Sequence, residues 1–174
     1  MNLTYLFISH DLRVIRSISH NLIVMKDGSI LEQGEAKSIL NNPQHASSLR
    51  QGVTTEILGQ DGLSYAPLSP NNYEIQRKYL GGILGNAPKN LDMSSVKSFR
   101  SHYHKKVSIN TAYPVSHGAL RMESVGFYDK PLEGKQLDHA KNLLNEGLSQ
   151  GSVGLATGMS YHPNAWSNTE ELIE

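Results

Sequence analysis

The sequence predicts an α/β fold, because segments with strand composition alternate with segments of helical periodicity. Three segments, QGVTTEILG, VSINTAYPVSHG and SVGLATGM, are mostly uncharged and rich in β-branched residues, as is typical of buried strands in a parallel sheet. The clearest helix is LEGKQLDHAKNLLNEGLSQG, with an apolar stripe of Leu137, Ala140, Leu144 and Leu148 and with Gly151 to end it. Alternation of this kind predicts parallel strands covered by helices.

The composition excludes several classes of protein. The 174 residues include 16 basic and 16 acidic side chains, so no net charge favours nucleic acid or an anionic membrane as a partner. The absence of cysteine excludes disulfides and thiolate metal sites and is typical of a reducing compartment. The apolar runs fall far short of the roughly 20 residues that span a bilayer, and the N-terminus lacks the basic region of a signal peptide. We therefore expect a soluble, cytoplasmic chain.

The first forty-five residues predict the order strand, helix, hairpin, helix. LTYLFIS has the composition of a buried strand, and HDLRVIRSIS follows with helical spacing of its apolar residues. NLIVMKDGSILEQG predicts two strands joined by Asp27 and Gly28, which is a strong hairpin signal. EAKSILNNP predicts a short helix that Pro43 stops.

This N-terminal segment resembles the C-terminal part of the ATP-binding subunit of peptide-type ABC transporters. The resemblance rests on FISHDL and IVMKDGSILEQGEAKSILNNPQH and covers about residues 2 to 45. It implies ATP and Mg²⁺ as cofactors of the parent subunit and makes His10 the switch histidine, which senses the γ-phosphate of bound ATP. A phosphate-binding GxxxxGK[ST] loop is absent from the sequence, so we expect His10 to be vestigial, a polar residue at a strand end. Gly81, Gly82 and Gly85 in GGILGNAPKN are predicted to form an ordinary loop.

The longer C-terminal segment resembles the N-acyl-D-amino-acid deacylase (D-aminoacylase) branch of the amidohydrolase superfamily. Three motifs carry the resemblance over about residues 47 to 174: QGVTTEILGQDGLSYAP, INTAYPVSHGALR and EGLSQGSVGLATGMSYHPNAWSNTEEL. The resemblance implies a TIM barrel that hydrolyses the amide of N-acylated D-amino acids. It also implies zinc, which would polarise the carbonyl and activate water.

The resemblance assigns roles to four residues of this segment. Asp61 in GQDG stands where the family places a metal-bridging residue, often a cysteine, and a carboxylate is an acceptable zinc ligand. Tyr161 in GMSYHP stands where the family has a tyrosine near the substrate carboxylate, and His117 and Arg121 in SHGALR match a motif close to the barrel mouth. Interpreted without the resemblance, Asp61 is a turn residue, Tyr161 a half-buried aromatic residue, and His117 a satisfied polar group at a strand end.

Most groups that the deacylase chemistry requires are not expected in this chain. The family's H-x-H metal pair should precede QGVTT, and its other metal histidines and catalytic aspartate should follow the third strand. His102 and His104 spell H-x-H, but they fall in the predicted helix DMSSVKSFRSHYHKK, where residues two apart face different directions. We therefore expect one metal ligand, no complete catalytic set, and no activity of the chain alone.

The two resemblances meet at a seam near His45 to Leu49, which predicts two units. Residues 1–46 would be a remnant of an ABC ATPase, and residues 47–174 an incomplete TIM barrel with exposed strand edges. Two partners are expected: an intact ABC ATP-binding subunit, or a second copy through those edges. Three functions remain open, namely a deacylase relative that is inactive alone, a remnant of a peptide importer, and a non-functional fusion product.

Overall fold

The computed structural model describes residues 22–26, 29–34 and 50–174. In the N-terminal part, β1 (Leu22–Lys26) and β2 (Ser29–Gly34) form an antiparallel pair in which Lys26 faces Ser29. This confirms the two strands predicted on either side of the Asp27–Gly28 turn. His10, the strand and the two helices predicted around this hairpin, and the seam lie outside the described residues.

Residues 50–174 fold as alternating strands and helices, which confirms the predicted α/β class. The strands are β3 (Thr55–Ile57), β4 (Asn110–Ala112), β5 (Val115–Ser116) and β6 (Leu155–Ala156). The helices are α1 (Pro70–Leu84), α2 (Val96–Ser101), α3 (His117–Ser124), α4 (Lys135–Ser149) and α5 (Thr169–Ile173). One 3₁₀ turn, Gln60–Gly62, follows β3, and a second, Asn164–Trp166, precedes α5. No helix in the described part is long and apolar enough to cross a membrane.

The three strand segments predicted from the sequence lie side by side and parallel. β3 pairs with β4, and β5 pairs with β6. β4 and β5 are parts of one extended stretch, and Tyr113 between them accepts a hydrogen bond from the Val153 N–H at 3.0 Å. The stretch from Asn110 to Ser116 therefore lies between β3 and β6, so the carboxyl ends of the strands meet at one edge.

The two outer strands are less buried than the sequence predicts. Ile57 in β3 is 55% exposed, and near β6 Val153 and Leu155 are 62% and 47% exposed. The strand composition indicated burial on both faces, but the described part of the chain does not cover these side chains. Parallel strands normally have both faces covered, so this apolar surface is unusual.

Helix α1 corrects the prediction of a loop around the glycines. Gly81 and Gly82 lie inside it, and Gly85 is its C-terminal cap. The helix begins with Pro70 in the first turn, where a missing N–H costs no hydrogen bond. Its buried face includes Gln76 and Arg77, and these polar side chains hide the apolar periodicity that would have predicted the helix.

Three other helices differ from the prediction: α2 in where it ends, α3 in being present at all, and α4 in which residue faces the core. Helix α2 ends at Ser101, before His102 and His104, and starts at a Ser95 cap whose hydroxyl accepts from the Ser98 N–H. Helix α3 was not predicted: the SHGALR motif begins at the last residue of β5, and from His117 onward it lies on a helix. In α4 the predicted Leu148 is 42% exposed.

Gly147 rather than Leu148 makes the close contact between α4 and the strands. A Cβ added at Gly147 would lie 2.6 Å from Val115 Cγ2 and 3.1 Å from Val96 Cγ2. The helix therefore approaches the sheet at a residue without a side chain, and Leu148, one position further round the helix, points away.

The core lies between the strands and helices α1 to α4 and is rich in aromatic side chains. Phe99 is 1% exposed, and its ring centroid lies 4.2 Å from that of Tyr113 and 5.0 Å from that of Tyr103. The Tyr113 hydroxyl donates to the Ala66 carbonyl at 2.5 Å. Burial raises the pKa of Tyr113 to about 12, so the phenol stays neutral and the core carries no charge at this position.

Candidate functional site

The turn that carries Asp61 and the loop after β6 are in direct contact at the carboxyl ends of the strands. Asp61 has a left-handed backbone conformation with φ of 58° in the 3₁₀ turn after β3. A Cβ added at Gly158 would lie 2.8 Å from the Cβ and carbonyl oxygen of Asp61. Only glycine allows this approach, so Gly158 fixes how closely the two loops can meet.

Asn164 joins these two loops through its amide. Its side chain is fully buried, and Nδ2 donates to the carbonyls of Asp61 at 3.1 Å and Gly158 at 3.5 Å. The opposite amide orientation would place Oδ1 against two carbonyl oxygens, so the network decides the orientation. A Cβ added at Gly62 would lie 2.5 Å from Asn164 Nδ2. The Asp61 turn is therefore held by an amide from the 3₁₀ turn that follows β6.

A buried carboxylate, that of Glu171, accepts hydrogen bonds from several neighbouring elements. Its side chain is 1% exposed. It accepts hydrogen bonds from the Leu132 N–H at 2.8 Å, the Ser167 hydroxyl at 2.9 Å, and Arg121 Nη1 at 2.6 Å and 2.5 Å. The Arg121 side chain is itself fully buried and also donates to the Lys130 carbonyl. This network holds α5 and the loop before α4 against helix α3.

The pKa of Glu171 reflects these partners. Burial alone would raise the pKa, but the hydrogen bonds from His117, Arg121 and the Leu132 N–H, together with the charge of Arg121, lower it to about 2. Glu171 is therefore an ionised carboxylate at neutral pH even though solvent does not reach it.

His117 links Glu171 to the strand ends. Its Nε2 lies 2.9 Å from Glu171 Oε1, and its Nδ1 lies 2.8 Å from the hydroxyl of Thr157. An ionised carboxylate only accepts, so Nε2 carries the proton and donates to Glu171. The hydrogen bond at Nδ1 joins the ring to the Thr157 hydroxyl, and Thr157 is exposed in the position after β6.

The structure brings the four deacylase-like residues to the same edge of the sheet in two groups. His117 and Arg121 share Glu171, so His117 is a satisfied polar group as well as a member of the motif. Tyr161 is half-buried, and its N–H donates to the Gly158 carbonyl at 3.3 Å, in the loop that touches Asp61. The roles assigned to these residues by resemblance stay predictions.

The histidines of HYH lie away from this edge. His102 Nε2 lies 2.8 Å from the carbonyl of Asp92, and Tyr103 between the two histidines is buried in the core. His104 is exposed. Within residues 22–26, 29–34 and 50–174, no group of three or more histidine, aspartate or glutamate side chains is arranged to hold a metal ion.

Sequence reasoning missed Glu171, Asn164 and Thr157. The segment SYHPNAWSNTEE after the third strand has the composition of a loop, but Asn168 and Glu171 have the spacing of a helix cap and its third residue. The Asn168 side chain does accept from the Glu171 N–H at 2.8 Å. That spacing could have predicted the start of α5 but not the distant partners of Glu171, namely Leu132, Arg121 and His117, which lie 39 to 54 residues away.

Comparison with known proteins finds two separate similarities, one over a short stretch and one over most of the chain. The chain matches no protein-family model. A short N-terminal stretch is similar to the peptidoglycan transport ATP-binding protein YejF of Agrobacterium fabrum, with 55% identity over 42 residues, 24% of this chain and 8% of that protein. The D-aminoacylase of Alcaligenes xylosoxydans xylosoxydans is 26% identical over 146 residues, which cover 78% of this chain and 27% of that enzyme.

Solved structures agree with the second similarity. A crystal structure of D-aminoacylase superposes with a TM-score of 0.61 at 24% identity and covers 78% of this chain and 28% of that one. The zinc and phosphonate complex of N-acyl-D-glutamate deacylase from Bordetella bronchiseptica gives a TM-score of 0.59 at 24% identity, covering 77% and 27%. The chain thus spans less than a third of the length of each relative. It joins a short segment similar to ATP-binding subunits of peptide transporters to a longer segment with the sequence similarity and the fold of part of a D-aminoacylase.

Proposed function

We propose that residues 50–174 form part of a site of the N-acyl-D-amino-acid deacylase type and that the chain alone does not hydrolyse such amides. In this proposal Asp61 is a metal ligand and Tyr161 binds the substrate carboxylate. His117 and Arg121 shape the mouth of the site. The observation that carries the proposal is the contact of the Asp61 turn with the loop of Gly158 and Tyr161 at the carboxyl ends of parallel strands, where barrel enzymes bind substrate.

The residues of the described part do not fit a complete zinc site. Catalytic zinc usually takes three protein ligands, and no group of three suitable side chains occurs in the part of the chain that the structure describes. Zinc is the metal in the complex of the Bordetella deacylase. We expect zinc-dependent hydrolysis to require ligands beyond those of the described residues.

Exposed apolar residues on the outer strands support self-association as part of this proposal. Ile57, Val153 and Leu155 lie at the two outer strands, and Met159 follows β6 at 42% exposure. A sheet edge with apolar neighbours is a template for pairing with another chain. We expect the purified protein to form oligomers whose dissociation follows substitution of Ile57 or Leu155 by lysine.

The proposal is tested with the purified chain, zinc and an N-acetyl-D-amino acid. We expect no turnover and no stoichiometric zinc. We do expect weak cation binding at the Asp61 turn, visible as Mn²⁺-induced broadening of the amide signals of residues 60–63 and 158 in NMR spectra. Asp61→Asn should remove this broadening, whereas the exposed Asp129→Asn should not. Turnover with tightly bound zinc would refute the inactivity, and broadening that survives Asp61→Asn would refute the role of Asp61.

A second candidate function rests on the similarity of the N-terminal segment to transporter ATP-binding subunits. In this proposal the β1–β2 hairpin docks on an intact ABC ATP-binding subunit, and His10 is vestigial. The phosphate-binding loop is absent from the sequence, so calorimetry should detect no ATP binding with Mg²⁺. Affinity in the micromolar range would contradict this view. A cytoplasmic location belongs to both proposals, because the chain contains no cysteine.

The third candidate is a non-functional fusion product. It predicts that neither cations, ATP nor a transporter subunit binds the chain specifically. Loss of Mn²⁺ broadening in Asp61→Asn, or co-purification with an ATP-binding subunit that depends on residues 22–34, would exclude it.

A further inference from the structure

Three side chains at the strand ends form a continuous hydroxyl, imidazole and carboxylate array. Thr157 Oγ1 lies 2.8 Å from His117 Nδ1, and His117 Nε2 lies 2.9 Å from Glu171 Oε1. The three residues come from the end of β6, the start of α3 and helix α5, so the array is assembled by the fold. A nucleophile within hydrogen-bond reach of a base that a third group orients is the arrangement of covalent hydrolases.

The direction of the hydrogen bonds suits proton transfer from Thr157. Glu171 is ionised and can only accept, so Nε2 of His117 donates to it, and in the neutral imidazole Nδ1 then has a lone pair. Another acceptor near the Thr157 hydroxyl is the sulfur of Met159 at 4.0 Å, which is a weak acceptor at a longer distance. With a neutral ring the hydroxyl therefore donates to His117, and Thr157 itself is an exposed residue.

Solvent exposure decreases along the array, so that the nucleophile is accessible while the base and its orienting group are buried. Thr157 is exposed, whereas the side chains of His117 and Glu171 are 6% and 1% exposed. Arg121 shares the carboxylate of Glu171 and places a positive charge beside the Glu171–His117 pair. The same guanidinium also opposes the imidazolium that forms during transfer, so the acceleration should be modest.

We propose that Thr157 is a nucleophile for acyl transfer from small activated esters, with His117 as its general base and Glu171 as the positioning residue. Thr157 Oγ1 bonds to the acyl carbon while its proton passes to His117 Nδ1. The imidazolium returns that proton to the departing alkoxide or phenoxide as the ester bond breaks. The acyl group on Thr157 is then hydrolysed by water, whose proton follows the same route. This activity needs no metal and is independent of the role proposed for Asp61.

The test uses the full chain, p-nitrophenyl acetate as acyl donor, and EDTA throughout to exclude metal ions. We expect release of p-nitrophenol roughly 10²-fold faster than from Thr157→Val, the low end of the range for general-base catalysis. We expect an acetyl group on the peptide that contains Thr157 in mass spectra of acid-quenched protein. Thr157→Ser should retain the activity, because it keeps the hydroxyl and changes only a methyl group.

Two comparisons separate catalysis from structural effects. Thr55→Val is the matched control, because Thr55 is also an exposed threonine at a strand and lies outside the array; its rate should equal that of the unmodified sequence. His117→Asn should lower the rate as Thr157→Val does, provided that urea unfolding followed by Trp166 fluorescence shows a folded protein. Equal rates for Thr157→Val and the unmodified chain, or acetylation confined to lysines and the N-terminus, would overturn the proposal.

Discussion

Replacing Arg121 by methionine should destabilise the protein severely, because it leaves Glu171 as a buried charge without a cation. The two side chains are 0% and 1% exposed. Removal of one partner from a buried ion pair typically costs about 3–5 kcal/mol. Arg121 Nε has no hydrogen-bond acceptor among the described residues, and loss of this buried donor offsets part of that cost. We therefore expect destabilisation of about 3 kcal/mol, a large part of a typical stability of about 5–15 kcal/mol.

A double substitution isolates the contribution of charge. In Arg121→Met with Glu171→Gln, no ionised group remains in the buried cluster. The glutamine oxygen can still accept from the Leu132 N–H, and the ring of His117 can exchange its tautomer to accept from the glutamine amide. Each single variant should cost about 3 kcal/mol or more, but the double variant should cost less than their sum by at least about 1 kcal/mol.

Urea unfolding followed by tryptophan fluorescence measures all three variants. Trp166 is the only tryptophan in the sequence, stacks on His162 at 4.4 Å and lies one residue before Ser167 of the network. Lys141→Met is the matched control, since Lys141 of α4 pairs with Glu174, the residue that caps α5, at 2.7 Å but in solvent. That variant should show no measurable change. Strictly additive costs in the double variant would refute the view that charge compensation stabilises α5.

Three further predictions follow from the core, the helices and the buried carboxylate. Gly147→Ala should destabilise the protein by about 1–3 kcal/mol, because the added Cβ would overlap Val115. Gly82 is exposed in helix α1 and has open space around it, so Gly82→Ala should stabilise by about 0.5–1 kcal/mol. Thermal unfolding compares the two variants. Phe99→Ala should cost about 3–5 kcal/mol in urea unfolding, because the ring is 1% exposed. The pKa of Glu171 falls from 4.5 in the ordinary carboxyl to about 2 in the fold. Its contribution to the free energy of unfolding is therefore complete above pH 4.5 and should be lost as the pH falls towards 2. Glu171→Gln should flatten this part of a plot of stability against pH.

The strands and their parallel pairing were predictable from the sequence, because composition indicates the strands and predicted helical segments lie between them. QGVTTEILG and SVGLATGM each contain one strand, and VSINTAYPVSHG contains two, β4 and β5; the pairs β3–β4 and β5–β6 are parallel. The lengths were not predictable, since each of these strands has only two or three residues. Helix α1 was not predicted because the polar residues Gln76 and Arg77 lie on its buried face. Arg77 Nε pairs with Glu74, and Arg77 Nη1 contacts the Ala87 carbonyl, so the buried guanidinium has local partners.

The candidate site residues were assigned by the family resemblance, and the strand pattern explains only why two of them lie at the same edge. Asp61 comes after β3 and His117 after β5, and the carboxyl ends of neighbouring parallel strands meet at one edge. Glu171 and Asn164 come from the segment after β6, and the sequence does not encode which buried donors they will meet. The partners of Glu171 lie up to 54 residues away and those of Asn164 up to 103. Only packing of the whole segment determines these pairs.

The described contacts around Asp61 lie within residues 50–174. Gly158 permits the approach, Asn164 bridges the two carbonyls, and the Ser116 hydroxyl donates to the Gly62 carbonyl at 2.6 Å. In the proposed function, this part of the chain supplies the loops at the strand ends but too few metal ligands. It follows that restoring ligands, rather than reshaping the loops, is the change that would test whether this arrangement can support metal-dependent hydrolysis.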